Sequence, residues 1–283
     1  MKTGFNLLLW TTHVTEEHLP LLGKLKAAGY DGVEVPVFEG DVAHFRKLGQ
    51  ALKDNGLACT TVTVLPDAAH SAIHPDPKSR RGAVEHLAWT IECSEALGSE
   101  LLCGPFHQEL AVFSGEGPTE DEIAWALEVH QEAADLAAKV GLTLAIEPLN
   151  RFECYFLNTM AEAKAHVERV GRPNFGVLYD TFHANIEEKD PVGCIAEIAS
   201  VIRHVHVSEN DRGTPGRGHV PWLATFKALR AGGYDGWLTI EAFGTALPAL
   251  AAATKIWRDL HASPEEVYEH GLRTIRDNWA AAA

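Results

Sequence analysis

The chain alternates eight times between a short apolar stretch and a longer stretch with helical spacing, and this alternation restricts its fold most strongly. The pattern starts at "GFNLLLW" and places helices at residues 16–28, 42–55, 79–97, 119–140, 159–170, 190–200 and 221–231. Strands that alternate with such helices are parallel and are joined by right-handed crossovers. Eight units favour a closed (β/α)8 barrel, the TIM barrel of α/β proteins, over an open doubly wound sheet.

Length and composition agree with one such barrel. The chain has 283 residues, of which 46% are hydrophobic, and a single barrel takes about 250 residues, so we predict one domain over residues 1–283. No apolar run approaches the roughly 18 residues of a membrane span, and "MKTGFNLLLWTTH" lacks the features of a signal peptide. We therefore expect a soluble, cytoplasmic protein without membrane contacts.

Charge, cysteines and motifs narrow the function classes. The formal net charge of −15 repels phosphate backbones, so we expect no nucleic-acid partner. The five cysteines form no close pair, which argues against a disulfide framework and a zinc ribbon and predicts reduced thiols. No G-x-G-x-x-G or P-loop motif follows a predicted strand, so the sequence indicates neither a dinucleotide site nor a P-loop site.

Four consecutive predicted strands carry a side chain of the metal-binding types at their carboxyl ends. These side chains are Glu147 after "LTLAI", Asp180 after "GVLY", His206 in "RHVHV" and Glu241 after "WLTI". The intervals between them are 33, 26 and 35 residues, each about one βα unit. Because the carboxyl ends of barrel strands meet at one mouth, we expect the four groups to converge there.

Side-chain alternation gives an independent check, because successive residues of a strand face the barrel interior and the helices in turn. If Glu147 faces inward, so does Ala145, whereas the apolar Ile146 faces the helices. His204 and His206 share the inner face. We interpret His204, one layer deeper, as a hydrogen-bonded core residue rather than as a metal ligand.

Three carboxylates and one imidazole form a hard, oxygen-rich ligand set. Such a set suits Mn²⁺, Mg²⁺ or Co²⁺ and leaves positions open for a substrate. Structural zinc is disfavoured. The alternative is a ring of strand-end charges that are paired with lysines or arginines, and the recurrence of ligand types at four separate strand ends favours the metal.

At these residues the sequence resembles the ketose 3-epimerases, the D-tagatose 3-epimerase and D-psicose (D-allulose) 3-epimerase family of the xylose-isomerase-like barrels. The resemblance spans most of the chain and is densest in "EPLNRFECYFLNT", "DTFHANIEE", "HVHVSENDRGTPGRGHVPW", "IEAF" and "IWRDL". It implies a divalent metal on Glu147, Asp180, His206 and Glu241, with Mn²⁺ as the first choice and Co²⁺ or Mg²⁺ as alternatives.

The resemblance also implies substrate contacts at Glu153, His183 and Arg212, catalysis by Glu147 and Glu241, and a homodimer or homotetramer. The chemistry agrees with those two glutamates. Inverting a carbinol beside a ketone requires removal of a proton from one face and its return to the other, and two carboxylates can do this through an enediolate. The expected activity is epimerisation at C3 of free ketoses of the tagatose, psicose, fructose and ribulose class.

The N-terminal third departs from the family pattern, since "GFNLLLW" lacks a common aromatic residue and the loop "TVLPDAAHS" is unusual. The preferred ketose is therefore left open, with Trp10, Phe106 and Phe113 as candidates for the pocket wall.

Four other functions remain as alternatives: a hydroxypyruvate-type aldose–ketose isomerase, a sugar-phosphate epimerase, a metal-dependent abasic-site nuclease and a catalytically silent sugar-binding protein. Arg212 and Arg217 in "NDRGTPGRGH" can hold a phosphate. The segment "AFGTALPAL" lacks the glycine-rich nest of barrel phosphate sites, which favours free sugars.

Overall fold

The computed structural model describes residues 1–283, whose eight strands form one parallel sheet. The strands are β1 Lys2–Phe5, β2 Gly32–Pro36, β3 Ala58–Val62, β4 Leu101–Gly104, β5 Thr143–Ile146, β6 Phe175–Asp180, β7 Ile202–Val207 and β8 Trp237–Ile240. Each strand pairs with the next along the chain from β2 to β8, and β1 pairs with β8. An isolated bridge between Asn6 and Glu34 joins the two remaining edges. The predicted (β/α)8 barrel is confirmed.

Helices connect the strands on the outside of the barrel. They are α1 Leu19–Ala28, α2 Val42–Asp54, α3 Pro77–Leu97, α4 Glu120–Lys139, α5 Met160–Val170, α6 Thr181–Glu187, α7 Cys194–Ile198, α8 Trp222–Ala231, α9 Pro248–Ala253 and α10 Pro264–Ala281. The helix predicted at residues 190–200 is shorter, because the Asp190 carboxylate accepts the N–H of Gly193 at 2.8 Å and holds a turn before the helix. The sequence patterns did not indicate α6, α9 or α10.

Glycines end several helices as predicted. Gly29 follows α1 with φ of 106° and Gly98 follows α3 with φ of 83°, both in the left-handed region that a residue with a Cβ rarely adopts. These glycines turn the chain from a helix toward the next strand.

The strand side chains divide into two layers. Val62, Cys103, Ala145 and Leu178 pack together inside the barrel. Ile146 and the other outward residues belong to the larger apolar core between the strands and the helices. The predicted alternation is confirmed for these strands.

All five cysteines are free and buried. None of the helices combines the length and the apolar composition that a membrane span requires.

Two buried histidines form a neutral pair outside the site. His130 Nε2 donates to the Phe106 carbonyl at 3.0 Å, so its Nδ1 accepts the Nε2–H of His166 at 2.7 Å. Burial lowers the pKa of His130 to about 4, and burial together with His130 lowers that of His166 to about 2. A proton on His130 Nδ1 would remove the acceptor that His166 uses.

This pair predicts acid sensitivity of the fold. The unfolded chain takes up these protons near pH 6.5, above the folded pKa values. Above about pH 6.5 the two histidines should therefore make their whole contribution to the free energy of unfolding. Below that pH the free energy of unfolding should fall toward pH 4, by roughly 1.4 kcal/mol per pH unit for each histidine. In His130→Gln, which keeps a donor and an acceptor, we expect the loss between pH 7 and 5 in urea unfolding to be about 2 kcal/mol smaller. The exposed control His219→Gln should behave like the parent protein, and an equal loss in both variants would contradict the assignment.

Candidate metal-binding active site

The four side chains predicted from the strand ends lie together at the mouth of the barrel. One ligand atom from each of Glu147, Asp180, His206 and Glu241 lies within 4.8 Å of the other three, and all four residues are buried. His206 Nδ1 is the common neighbour, at 3.5 Å from Asp180 Oδ2 and from Glu241 Oε1 and at 4.0 Å from Glu147 Oε1.

These distances leave room for a cation. His206 Nδ1 is buried and has no hydrogen-bond partner, although three carboxylates surround it. Separations of 3.5 to 4.0 Å are longer than hydrogen bonds but suit ligand atoms that share one ion, and the donor set is rich in oxygen. The residues therefore fit a divalent metal.

A second group of metal-type ligands lies directly below the first, formed by Glu34, Cys103, His204 and the opposite nitrogen of His206. Here Glu34 accepts from His206 Nε2 at 2.7 Å and from His204 Nε2 at 2.8 Å. Because the Glu34 carboxylate is already hydrogen-bonded to both imidazole nitrogens, this group does not fit a metal. His204 is thus the hydrogen-bonded core residue that was predicted.

Glu34 and Asn6, which were not predicted from the sequence, are both fully buried beside the site. A signal existed for Glu34, because it is a charged residue between Val33 and Val35 in a strand whose valines face outward. Asn6 carries no comparable signal, since a polar residue just after a strand is common.

Asp180 ends β6 and also begins α6. Its Oδ1 accepts the backbone N–H groups of Phe182 and His183, and its Oδ2 accepts the Ser208 hydroxyl at 3.0 Å. A carboxylate at a helix N-terminus is stabilised by the free amides there. The side chain is therefore held with Oδ2 toward His206.

Arg212 lies over the acidic cluster. Its Nη1 pairs with Glu241 Oε2 and, at 3.3 Å, with Asp180 Oδ2. The guanidinium carbon lies 4.0 Å from the ring centre of Phe182 and 4.9 Å from that of Phe243. The cation is 3% exposed, so it balances the carboxylates with little screening by water.

His183 and Glu153 complete the polar side of the site. His183 Nδ1 accepts the backbone N–H of Asn150 at 2.9 Å, so the ring proton lies on Nε2. This nitrogen is 2.8 Å from Arg212 Nη2 and 3.5 Å from Glu147 Oε1. Glu153 is held by Asn150 Nδ2 at 2.8 Å. The structure thus brings all seven predicted site residues into one region.

Burial and the neighbouring charges shift the pKa values of Glu147 and Asp180 in opposite directions. Burial and the Glu241 carboxylate raise the pKa of Glu147 well above its ordinary value. Burial alone would raise the pKa of Asp180, but Arg212 and other donors lower it below the ordinary range. Burial and Arg212 lower the pKa of His183. The surroundings therefore shift Glu147 toward its protonated form and Asp180 toward its ionised form.

The cavity above these groups has a volume of about 200 Å³. Its apolar lining consists of Leu8, Phe38, Val62, Val64, Pro105, Leu110, Leu149, Phe243, Leu250 and Ala253. The suggested wall residues are wrong: Trp10 packs on Phe5, Phe106 is fully buried beside Phe175, and Phe113 is 48% exposed on the surface. Aliphatic side chains form most of the wall instead.

A larger groove of about 560 Å³ lies between the segment after β1 and α2. It contains none of the predicted site residues, so the chemistry belongs to the smaller cavity.

The sequence and the fold of this chain are similar to those of known proteins. The xylose isomerase-like TIM barrel family matches residues 22–278. The chain is 34% identical to the ketose 3-epimerase of Arthrobacter globiformis over 99% of this chain and 98% of that protein. It is 30% identical to the D-psicose 3-epimerase of Agrobacterium fabrum, over 92% and 91%. The crystal structure of the D-allulose 3-epimerase of Methylomonas sp. in complex with D-allulose superimposes with a TM-score of 0.91 at 27% identity, covering 98% of this chain and 97% of that one.

The ligand geometry predicts loss of metal on substitution. Asp180→Asn and His206→Ala should each lose most of the bound metal, measured by elemental analysis after loading with Mn²⁺ and desalting. We also expect Mn²⁺ to raise the melting temperature of the parent protein but not that of either variant. The exposed control Glu116→Gln should keep both, and full occupancy in the two site variants would refute the assignment.

Proposed function

The chain belongs to the xylose isomerase-like TIM barrel family and to the ketose 3-epimerases within it, and on that premise we propose that it inverts C3 of free ketoses. The observation that carries this proposal is the convergence of Glu147, Asp180, His206 and Glu241 at the floor of a cavity of sugar size. The positions of the donors His183 and Arg212 beside that floor support it.

We propose that Glu147, Asp180, His206 and Glu241 hold a divalent metal. Mn²⁺ is our first choice, with Co²⁺ and Mg²⁺ as alternatives, because the ligand set is mostly oxygen. When bound, such an ion supplies Lewis-acid stabilisation of negative charge on the oxygens of the substrate.

The two glutamates carry the proton transfers in this proposal. One of Glu147 and Glu241 removes the proton from C3, and the other returns a proton to the opposite face of the enediolate. Burial and the Glu241 carboxylate raise the pKa of Glu147, a direction that suits a carboxyl group which must donate as well as accept a proton.

His183 and Arg212 orient the O1 and O2 end of the sugar. His183 Nε2–H and the Arg212 guanidinium are both donors, and their nitrogens are only 2.8 Å apart. Two donors at this separation repel each other, and a substrate oxygen that accepts from both removes the repulsion. Glu153 accepts hydrogen bonds from substrate hydroxyls on the same side.

We extend the proposal to the oligomeric state and the cellular location of the enzyme. A homodimer or homotetramer is supported by Phe152 and Trp257, which are 64% and 71% exposed beside the site. Sedimentation velocity measures the state directly. The five free buried cysteines fit the cytoplasmic location predicted from the sequence.

The two-base scheme predicts the behaviour of isosteric variants. Glu147→Gln and Glu241→Gln should each lower kcat/KM for epimerisation by at least about 10³-fold, or roughly 4 kcal/mol. A variant that removes the C3 proton but cannot return one to the opposite face can still exchange that proton with deuterium oxide. NMR would then detect deuterium in a single epimer. Full epimerisation in either variant would contradict the scheme. An aldose product in the parent enzyme would indicate an aldose–ketose isomerase instead.

A phosphorylated ketose is the second candidate substrate, because two cationic side chains that were not predicted from the sequence lie near the site. Lys255 and Arg258 border a neighbouring cavity of about 310 Å³ that shares Glu153 and Arg212 with the site. The Arg217 side chain is 61% exposed, lies 3.3 Å from Glu266 and lines neither cavity. Free ketoses remain our proposal, because the apolar wall offers no charge to a phosphate at the far end of the sugar.

Kinetics on matched substrates decide between these two candidates. We expect a higher kcat/KM for ribulose than for ribulose 5-phosphate, a large loss in Arg212→Ala, and less than about a twofold change in Arg217→Ala. A preference for the phosphate that disappears in Arg258→Ala would show that the neighbouring cavity is a phosphate site and that the substrate class is wrong.

A further inference from the structure

Glu34 is a charged residue at the centre of the barrel, one layer below the metal-type ligands. It is fully buried in β2, and its carboxylate accepts five hydrogen bonds. The donors are Asn6 Nδ2 at 3.0 Å, Thr60 Oγ1 at 2.8 Å, Cys103 Sγ at 3.3 Å, His204 Nε2 at 2.8 Å and His206 Nε2 at 2.7 Å. So many donors keep the carboxylate in one orientation.

The bond from His206 fixes the protonation pattern of that ring. An ionised carboxylate has no proton to donate, so Glu34 accepts from His206 Nε2, and in the neutral ring the proton lies on that nitrogen. Nδ1 then directs its lone pair to the opposite side, where Glu147, Asp180 and Glu241 lie.

Asn6 extends the same control to a second ligand. Its Oδ1 accepts the backbone N–H of Leu8 at 2.9 Å, which fixes the direction of the amide. Its Nδ2 then donates to Glu34 Oε1 at 3.0 Å and to Glu241 Oε1 at 3.2 Å. The orientations of His206 and Glu241 are therefore tied to one carboxylate.

We propose that Glu34 is a positioning residue that sets the tautomer and ring angle of His206 and thereby the affinity of the site for its metal. This inference rests on the metal site of the proposed function. A ligating histidine whose second nitrogen donates to a carboxylate is held in the binding orientation, and loss of such a partner lowers metal affinity by about 10- to 100-fold.

The first test uses the unsubstituted protein loaded with Mg²⁺, which is diamagnetic. Nitrogen-15 NMR of the histidine rings, with His206→Gln to assign the signal, should show a proton on Nε2 and none on Nδ1. A proton on Nδ1 in the loaded protein would overturn the inference. This measurement does not depend on any variant folding.

The second test compares Glu34→Gln with Thr61→Val, since Thr61 is buried in the same strand as Thr60 but its hydroxyl bonds Ser94 and the Leu101 carbonyl instead of Glu34. Calorimetric titration with Mn²⁺ should give a Kd about 10- to 100-fold higher for Glu34→Gln and within about threefold of the parent for Thr61→Val. Equal affinity in Glu34→Gln and the parent would refute the role of Glu34 while leaving the proposed function intact. Absence of binding by the parent would instead refute the metal site itself.

Discussion

Three carboxylates, each less than a tenth exposed, surround one imidazole nitrogen inside the barrel, and the structure nearby is organised around their charge. Burying a charge without partners costs several kcal/mol. Asp180 meets two backbone amides, a hydroxyl and Arg212, and Glu241 meets Arg212 and Asn6. Glu147 has no hydrogen-bonded donor, and burial together with the Glu241 carboxylate raises its pKa. The three carboxylates therefore differ in how many hydrogen-bond and ion-pair partners compensate their burial.

The position of Arg212 depends on unusual backbone geometry. Its φ is 67°, in the left-handed region that costs a residue with a Cβ on the order of 1–3 kcal/mol. The Arg212 carbonyl accepts the N–H of Phe243 at 3.0 Å, and the next residue, Gly213, has no room for a Cβ because it would lie 2.5 Å from the Leu260 carbonyl oxygen. The loop after β7 thus places the guanidinium between two rings instead of leaving it mobile.

Much of the fold and of the ligand set could be predicted from the sequence because both follow from local periodicity. The spacing of one βα unit located Glu147, Asp180, His206 and Glu241, and alternation within each strand gave their direction. The cavity wall could not be predicted, because it combines residues such as Leu8 and Leu250 whose proximity depends on barrel closure. Trp10, Phe106 and Phe113 were selected for their size and position near strand ends, and size does not specify direction.

The bridge between Asn6 and Glu34 is also the place where the barrel closes, and this has a consequence for biosynthesis. The ribosome delivers β1 and β2 long before β8, and an N-terminal segment can collapse while the rest is still being made. Until Glu241 emerges, Asn6 lacks one acceptor, the acidic cluster lacks its last carboxylate, and β1 has no partner along Lys2–Phe5. An unfinished chain therefore lacks the last of the four groups that could hold a metal ion, so the complete ligand set exists only in chains whose synthesis has passed the eighth strand.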